Sequence, residues 1–385
     1  MPMRVLHTSD WHVGRTLHGQ DRLAEQEAVL SGLADLVADE RVDVVVVSGD
    51  LYDRAVPSGE AVQVCHRVLT AIRQAGARIV VIPGNHDSAS RLGAFADFAA
   101  AGGLYLRTRI ARLHEPVLLS DTHGPVAFYG VPYLEPEPAR HLLGTTERGH
   151  AAVLGEAMRR VRADLAERGP GVRSVVLAHA FVTGGRPSES ERTIAVGGVE
   201  QVPAAVFDGV DYVALGHLHG PQVLADNLRY AGSPLAYSFS EVEHRKSVWL
   251  VELGPDGLAG VERRELPVPR RLAVLTGELE TLLTDPAHAE LEDCYLSVVL
   301  TDRVRPLEAM RRLRERFPYA VHLQWEPEGG WQGTPMRYRE AVRGRDDHEI
   351  TCGFLVDCRG AGPTGSERAL LQEALAAVRT AEVTG

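Results

Sequence analysis

Apolar runs and amphipathic segments alternate along the first 250 residues of the 385-residue chain. The first three runs read as strands, and the second, at 44–47, is wholly aliphatic. Such a run is expected of a central strand that is buried on both faces of a parallel sheet. Helical spacing follows the first two strands, over residues 22–40 and 59–76. This βαβαβ order, followed by further strand-like runs, predicts sheets flanked by helices in a layered α/β domain.

The composition changes near residue 268, where we expect a domain boundary. Residues 294–327 read as strand, helix and strand. The chain beyond 331 is Arg-rich and loop-like before an amphipathic helix at 366–379. We therefore expect three parts. They are a large α/β domain at 1–267, a small α+β capping domain at 268–330 and a C-terminal tail at 331–385.

The composition is that of a globular protein without a membrane span. No apolar stretch approaches the roughly 20 residues of a transmembrane helix, and the N-terminus has no apolar signal core, so we expect a cytoplasmic location. The four cysteines show no CxxC spacing, which argues against a zinc knuckle or a disulfide framework. The net charge of −11 excludes a protein that coats nucleic acid with a surface that is basic throughout. It does not exclude a nuclease, because metal ions can supply positive charge locally.

Five of the predicted strands end in carboxylate, imidazole or amide side chains. In chain order these are Asp10 and His12; Asp50 and Asp53; Asn85, His86 and Asp87; His179; and His217 and His219. Ligand sites in open α/β sheets lie at the carboxyl ends of the strands. We therefore expect these side chains to converge on one site.

The chemistry of this set points to metal ions. Oxygen and imidazole ligands without a thiolate suit Mn²⁺, Fe²⁺ or Zn²⁺, and Mg²⁺ less well. Seven candidate ligands are too many for one four-coordinate ion but suit two ions that share a carboxylate. Two ions about 3.5–4 Å apart clamp a phosphate and acidify a shared water to hydroxide. If Asn85 is a ligand, His86 remains to donate a proton to the leaving oxygen. Gly49, Gly84 and Gly216 precede these groups and permit close backbone approach.

Each polar group taken alone has an ordinary structural explanation. A histidine at a strand end is usually a satisfied structural residue, and an aspartate there usually caps a turn. Neither explanation predicts five such endings in one chain. We expect Asp87 to orient a histidine rather than to bind metal. Asp53 has two explanations that the sequence leaves open, which are steering of the leaving group and capping of the loop before Ser58.

The ordered motifs DxH, GDxxD, GNHD, a lone His and GHxH resemble the signature of the calcineurin-like metallophosphoesterases. The longer segments RVLHTSDWHVG, SGDLYDRAVPS and YAGSPLAYSFSE narrow the resemblance to the SbcD family, the nuclease subunits of bacterial SbcC–SbcD complexes. This resemblance implies a four-layer αββα sandwich with a small α+β capping domain and a C-terminal helical tail. It extends through the capping segment and is weaker in the tail.

The resemblance also implies roles for individual residues. Asp10, His12, Asp50 and His219 would hold one metal, and Asp50, Asn85, His179 and His217 the other. His86 would be the catalytic histidine, and the metals would be two divalent ions, usually Mn²⁺. The implied activity is that of a double-strand DNA exonuclease with endonuclease action on hairpins and single strands. The implied partners are DNA and an SbcC-type ATPase with a coiled coil, with the chain as a homodimer within a heterotetramer and no membrane contact.

Three segments are candidates for contacts with DNA or a partner. Residues 303–345 contain ten arginines and five glutamates, which can form a phosphate-binding patch or simply a solvated helix face. The polar loop at 183–198 follows His179 and is placed to touch substrate. The helix at 366–379 either packs on its own domain or docks the SbcC coiled coil.

Two other functions are compatible with parts of the sequence. A phosphodiesterase or phosphatase of the same superfamily, acting on nucleotides or phosphoproteins, would share the metal site. Phosphoprotein phosphatases typically read GDxxDRG and GNHE, whereas here Ala55 follows Arg54 and Asp87 follows His86. A catalytically silent scaffold would have lost a ligand or the catalytic histidine, and neither is lost.

Overall fold

The aliphatic runs of the first half of the chain form the central strands of two six-stranded sheets. A computed structural model describes residues 2–192, 194, 201–327, 344–359 and 361–384. The chain divides into two units, Met1–Pro269 and Arg270–Gly385. Within the described ranges, no helix combines the length and the hydropathy needed to cross a bilayer.

The first unit contains fourteen strands and six α-helices among its described residues. Its strands are β1 (Met3–Thr8), β2 (Val44–Ser48), β3 (Arg78–Ile82), β4 (Leu104–Leu106), β5 (Val117–Asp121), β6 (Gly124–Val131), β7 (Arg173–His179), β8 (Phe181–Val182), β9 (Gln201–Val202), β10 (Tyr212–Gly216), β11 (Gln222–Ala225), β12 (Leu228–Tyr230), β13 (Ser247–Gly254) and β14 (Gly257–Glu265). Its helices are α1 (Leu23–Asp39), α2 (Gly59–Gln74), α3 (Ala89–Leu92), α4 (Ala96–Ala101), α5 (Pro136–Leu143) and α6 (His150–Arg168).

The two large sheets each have a parallel centre and antiparallel edges. The first sheet has the order β14-β13-β1-β2-β3-β4, in which β1 to β4 are parallel and β13 and β14 run antiparallel to their neighbours. The second has the order β11-β12-β10-β7-β6-β5, in which β6, β7, β10 and β12 are parallel. The parallel strands therefore bring their carboxyl ends to one edge of each sheet.

The side chains of β2 show why its sequence is continuously apolar. Val44 and Val46 face the core between the two sheets, where they pack with residues of the second sheet such as Val175. Val45 and Val47 face the opposite way and pack against α1 and α2. Both faces of this strand are thus buried, as its aliphatic run predicts.

The helices complete four layers. The core on the outer face of the first sheet includes Leu33 of α1 and Val68 of α2. The core on the outer face of the second sheet includes Ala139 of α5 and Met158 of α6. The α/β class and the αββα sandwich expected from the sequence are confirmed. The predicted N-cap of α2 is also confirmed, because the Ser58 side chain accepts a hydrogen bond from the backbone N–H of Ala61.

The second unit has a three-stranded parallel sheet in the order β15-β16-β17. Its strands are β15 (Leu272–Gly277), β16 (Tyr295–Leu300) and β17 (Ala320–Trp325), and its described helices are α7 (Leu279–Thr284), α8 (Ala309–Arg316), α9 (Asp347–Arg359) and α10 (Gly365–Thr384). Leu296, Val298, Leu313 and Phe317 are buried in its core. The strand, helix and strand predicted over 294–327 are confirmed.

The tail differs from the sequence prediction in one element. The loop-like segment beyond 331 contains helix α9, whereas the terminal helix predicted at 366–379 is present as α10. Residues 328–343 lie outside the described part of the chain. The division into parts at 267 and 330 stays a prediction.

Two glycines allow a test of how tightly the sheets approach each other. A Cβ atom on Gly216 would lie 1.9 Å from the Ser48 carbonyl oxygen, whereas one on Gly155, within α6, would meet nothing within 4 Å. Gly216→Ala is therefore expected to lower the free energy of unfolding by at least about 2–3 kcal/mol. Gly155→Ala is the matched control and should raise it by about 0.5–1 kcal/mol. Urea denaturation of both variants measures the difference, and equal stabilities would contradict the close approach.

Candidate metal centre

The polar side chains predicted from the sequence lie together at the carboxyl ends of β1, β2, β3, β7 and β10. Three overlapping groups each place one possible ligand atom per residue within 4.8 Å of the others. The groups are Asp10, His12 and His219; His12, Asp50 and His86; and Asp10, Asp50 and His179. All of these side chains are buried. Five strands from two sheets thus converge on one cluster, as the sequence predicts.

The backbone is strained at the same place. Asp10, His12, Asp50 and His217 have φ values of 52°, 46°, 50° and 108°, in the left-handed region that few non-glycine residues adopt. They are four of the seven such residues in the described part of the chain. Strain of this kind persists where the surroundings enforce it, and it concentrates at functional sites.

Backbone hydrogen bonds hold the first two strand ends together. The N–H of Asp10 donates to the Gly49 carbonyl at 3.0 Å, and the N–H of His12 donates to the Asp50 carbonyl at 2.9 Å. Gly49 itself has a φ of 93°, and a Cβ on it would lie 2.2 Å from Nδ1 of His179. The loops therefore approach as closely as they do because position 49 is a glycine.

The Asp50 carboxylate lies at the centre of the cluster. Its Oδ2 is 3.6 Å from Nε2 of His12, 3.5 Å from Nε2 of His179 and 4.0 Å from Nε2 of His86. Its Oδ1 accepts a hydrogen bond of 2.8 Å from the His86 backbone N–H. One oxygen is thus fixed by the backbone, and the other faces three imidazoles, which is an arrangement that suits a bridging ligand.

On one side of Asp50, two imidazoles face each other. Nε2 of His12 is 3.0 Å from Nε2 of His219. The Asp10 carboxylate is anchored beside them, where it accepts hydrogen bonds of 3.0 and 3.2 Å from the His217 backbone N–H. Three donor groups of the kinds that bind divalent metals therefore point at a common volume.

On the other side, two acceptors are brought together. Nδ1–H of His179 donates to the Ser48 carbonyl at 2.9 Å, which leaves a lone pair on Nε2. That Nε2 lies 2.9 Å from Oδ1 of Asn85, which is also an acceptor. A cation between them would satisfy both atoms. The His217 ring is next to this pair, with its centre 5.3 Å from that of His179.

Burial sets the charge state of the cluster. It lowers the pKa of His12, His179 and His217, so that these rings are neutral and have lone pairs to offer. Burial, reinforced by the Asp50 carboxylate, raises the pKa of Asp10 well above its usual range. Nδ2 of Asn85 and Nδ1 of His12 are buried without a hydrogen-bond partner among the described residues. Neutral imidazoles with lone pairs to offer, beside carboxylates, fit divalent metal ions.

His86 is held at the edge of the cluster by the loop that follows β2. Its Nδ1–H donates to the Asp53 carbonyl at 2.8 Å, while its Nε2 faces Asp50.

The Asp53 carboxylate does not cap this loop in any described hydrogen bond. It lies 3.7 Å from Nδ1 of His12 and 3.7 Å from Nε of Arg15.

Asp87 acts on the backbone. Its carboxylate accepts hydrogen bonds of 3.0 Å each from the N–H groups of Leu51, Tyr52 and Gly84. It therefore ties the loop after β2 to the loop that carries Asn85 and His86. No described hydrogen bond joins it to a histidine, although it positions His86 through this loop.

A buried polar network behind His219 was missed by the sequence reasoning. Nδ1 of His219 contacts Ser190 Oγ and is 3.4 Å from Oε1 of Glu241. Glu241 in turn pairs with Lys246, whose ammonium also donates to the His219 carbonyl at 3.0 Å. Glu191 accepts a hydrogen bond of 2.8 Å from the His219 backbone N–H. This network fixes the ring so that Nε2 faces the metal cluster.

Electrostatics explain how Glu241 stays ionised in this network. Burial is the largest influence and opposes its charge, but the Lys246 ammonium and the contacts from His219 and His244 together hold the pKa of Glu241 well below its usual range. One sequence signal pointed here, because Lys246 is the only lysine among 41 basic residues. All the other Lys or Arg positions of the chain are arginine. The single lysine is only 3% exposed and lies beneath the candidate ligand His219.

Three of the seven described arginines in the basic segment at 303–345 form ion pairs within the second unit. Arg311 pairs with Glu308 and Glu315, Arg312 with Glu280, and Arg316 with Glu292. Arg337, Arg339 and Arg343 lie outside the described residues. The described part of this segment therefore offers less free positive charge than its sequence suggests.

Comparison with known families agrees with this site. Residues 3–221 match the calcineurin-like phosphoesterases, and the chain belongs to this family of metal-dependent hydrolases. Residues 268–354 match the SbcD_C family, described as the type 5 capsule protein repressor C-terminal domain. The two matches together make the chain SbcD-like, as its sequence motifs indicate.

Several solved structures are similar to this chain at low identity. TT1561 of Thermus thermophilus is 15% identical, with 69% of this chain and 99% of that chain covered and a TM-score of 0.40. A dimetal phosphatase from Danio rerio is 14% identical, with 70% and 100% covered and a TM-score of 0.39. Purple acid phosphatase PPD1 from yellow lupin (Lupinus luteus) is 12% identical, with 69% and 52% covered and a TM-score of 0.37. At these TM-scores the similarities carry no argument about function.

The buried pair behind His219 generates a prediction. Lys246→Met leaves the Glu241 carboxylate buried without its partner, which should cost about 3–5 kcal/mol of unfolding free energy. Because Glu241 then binds a proton and orients His219 less well, Mn²⁺ affinity should fall about 10–100-fold. Denaturation curves and calorimetric titration with Mn²⁺ measure the two effects.

Two further variants sharpen this test. The double variant Lys246→Met/Glu241→Gln removes both charges and should be more stable than Lys246→Met alone. Arg67→Met breaks an exposed ion pair with Glu27 and should cost less than about 1 kcal/mol without changing Mn²⁺ affinity. If Lys246→Met behaves like Arg67→Met, the network does not support the metal centre.

Proposed function

We propose that the chain is a metal-dependent DNA nuclease subunit of the SbcD type. It would act in the cytoplasm as a double-strand exonuclease and as an endonuclease on hairpins and single strands, in DNA repair and recombination. The observation that carries this proposal is the succession of the two family matches, with the phosphoesterase match at 3–221 followed by the SbcD_C match at 268–354. The phosphoesterase match alone would equally suit a phosphatase.

The proposed ligands form two sets that share Asp50. One metal would be held by Asp10, His12, Asp50 and His219, and the other by Asp50, Asn85, His179 and His217. The position of Asp50 Oδ2 between imidazoles of both sets supports its role as the shared ligand. Two divalent ions, for which we propose Mn²⁺, would neutralise the phosphate oxygens and acidify the attacking water.

His86 has the geometry of a proton donor to the leaving oxygen. Its Nδ1–H is anchored on the Asp53 carbonyl, which fixes the ring plane and turns Nε2 towards the cluster. A ring held in this way can deliver a proton from Nε2 as the bond to the leaving oxygen breaks. The Asp53 carboxylate, close to both His12 and Arg15, would keep this side of the site polar.

The partner assignment rests on the family likeness and on the terminal helix. In α10, Leu370 is 65% exposed and Val378 is 55% exposed, so this helix shows apolar side chains to solvent. Such a face suits the coiled coil of an SbcC-type ATPase. We also propose the homodimer within a heterotetramer that the SbcD family implies.

The role of His86 generates the central prediction. In Mn²⁺, wild-type protein should cleave labelled hairpin DNA, with or without an SbcC-type partner, and His86→Ala should cleave it about 10²–10⁴-fold more slowly. Bis-p-nitrophenyl phosphate has a leaving group that needs no proton, so its hydrolysis should fall much less. Gel assays and release of nitrophenolate measure the two rates.

The control for this experiment is His66→Ala, which removes an exposed histidine on α2. It should leave both rates unchanged, and metal analysis should find the same two ions in all three proteins. If the wild type hydrolyses the small ester but no DNA, even with the partner, the nuclease assignment is wrong. Nucleotides and phosphoproteins would then be the substrates to test.

A further inference from the structure

We infer that a basic cleft beside the candidate metal centre binds a phosphodiester of the DNA strand that flanks the scissile one, an inference that rests on the proposed function. The cleft has a volume of about 340 Å³. Its walls come from four segments of the first unit and include Arg186, Gly220, Gln222, His244, Arg245 and Arg263.

The cleft is adjacent to the metal centre along two of these segments. Gly220 directly follows His219, which is a candidate ligand. His244 lies three residues after Glu241, which contacts the His219 ring, and the His244 backbone N–H donates to the Glu241 carbonyl at 2.9 Å. Phosphates follow one another at about 3.4 Å of axis along one strand. A strand with one phosphate at the metals therefore carries its next phosphates past this cleft.

The charge of the cleft is unusual for this chain. Three arginines line it against one acidic residue, Glu243, although the whole chain has a net charge of −11. Arg186 is exposed, and its guanidinium has no charged partner among the described residues. Arg245 is 77% exposed, and its only described ion pair is a contact of 3.5 Å with Glu265. Both guanidinium groups are thus available to an anion.

Hydrogen bonds hold the walls in place before any ligand arrives. Gln222 accepts from the Arg186 backbone N–H at 2.7 Å and donates to the Arg186 carbonyl at 2.9 Å. Arg263 donates to Ser247 Oγ at 2.8 Å and to the Arg245 carbonyl. Because the loops are tied to each other and to β13 and β14, binding costs little ordering of the backbone.

The shape of the cleft also depends on a glycine. A Cβ on Gly220 would lie 3.0 Å from Cε1 of His244, so the imidazole packs directly on the backbone of the loop that follows His219. Guanidinium and imidazole groups at such a surface match the oxygens of a phosphate. No Phe, Tyr or Trp is among the described residues that line the cleft. It is therefore suited to the strand backbone rather than to a base, and would contribute no sequence preference.

Charge reversal tests the assignment in the full-length protein. Arg186→Glu and Arg245→Glu change exposed side chains and should leave the fold intact. The control is Arg78→Glu, which changes an exposed residue at the start of β3, at the opposite end of the strands from the metal centre. DNA affinity is measured in the His86→Ala background at several salt concentrations, and cleavage is measured in the wild-type background.

The cleft variants are expected to affect the binding and cleavage of DNA but not the hydrolysis of a small phosphoester. Each cleft variant should lower the slope of log K against log salt by about 0.7–0.9, the value for one lost phosphate contact. Relative to hydrolysis of bis-p-nitrophenyl phosphate, cleavage of DNA should fall roughly tenfold. Arg78→Glu should change neither quantity. Inorganic phosphate at the concentration of the DNA phosphates should not compete, because a single phosphate lacks the flanking contact at the metals.

Three outcomes would contradict the cleft assignment, and they show whether the proposed function fails with it. If both cleft variants match Arg78→Glu while the wild type cleaves DNA, the cleft is not a DNA subsite and the proposed nuclease stands. If the wild type cleaves only the small ester, the proposed function fails and the subsite fails with it. Competition by inorganic phosphate at equal concentration against the wild type, but not against the cleft variants, would mean that the cleft is a site for the free anion, which also overturns the proposal.

Discussion

The architecture of the first unit depends on the burial of the Asp50 carboxylate where two sheets end together. A carboxylate that is 2% exposed must be compensated, and its surroundings do so with one backbone N–H and three imidazoles within 4.0 Å. These groups come from three different loops, which carry His12, His86 and His179, so the parallel strands must end at the same edge. The left-handed backbone at Asp10, His12 and Asp50, and the glycine at 49, are the local consequences. A divalent cation would complete the compensation, because burial keeps the imidazoles of His12 and His179 neutral by lowering the pKa of each.

The convergence of the candidate ligands could be predicted from the sequence, and their supporting network could not. Each candidate ligand follows an apolar strand directly, so the strand pattern alone locates Asp10, Asp50 and Asn85 at one edge. The contacts of Ser190 and Glu241 with His219 join residues 29 and 22 positions apart. No periodicity connects them, since they belong to a loop and a short 3₁₀ turn. The one feature of the sequence that could have pointed to the network is Lys246, the single lysine in a chain that otherwise uses arginine.

Two features of the tail and the capping segment could not be predicted from local sequence patterns, for related reasons. Helix α9 contains Thr351, Cys352 and Gly353, which have low helix propensity, so its sequence resembles a loop. The sequence left two interpretations of the arginines of α8 open, which are a phosphate-binding patch and a solvated helix face. In the structure, Arg312 and Arg316 reach Glu280 and Glu292, which are 32 and 24 residues away. Local charge counts fail when the neutralising residue comes from another element of the fold.

The metal centre and the basic cleft share the segments that build them. The loop at 183–191 supplies Ser190 and Glu191 to His219, and it supplies Arg186 to the cleft. The segment at 238–246 likewise supplies Glu241 and Lys246 to the network on one side, and His244 and Arg245 to the cleft on the other. A strand bound in the proposed cleft would therefore contact the same backbone that orients His219.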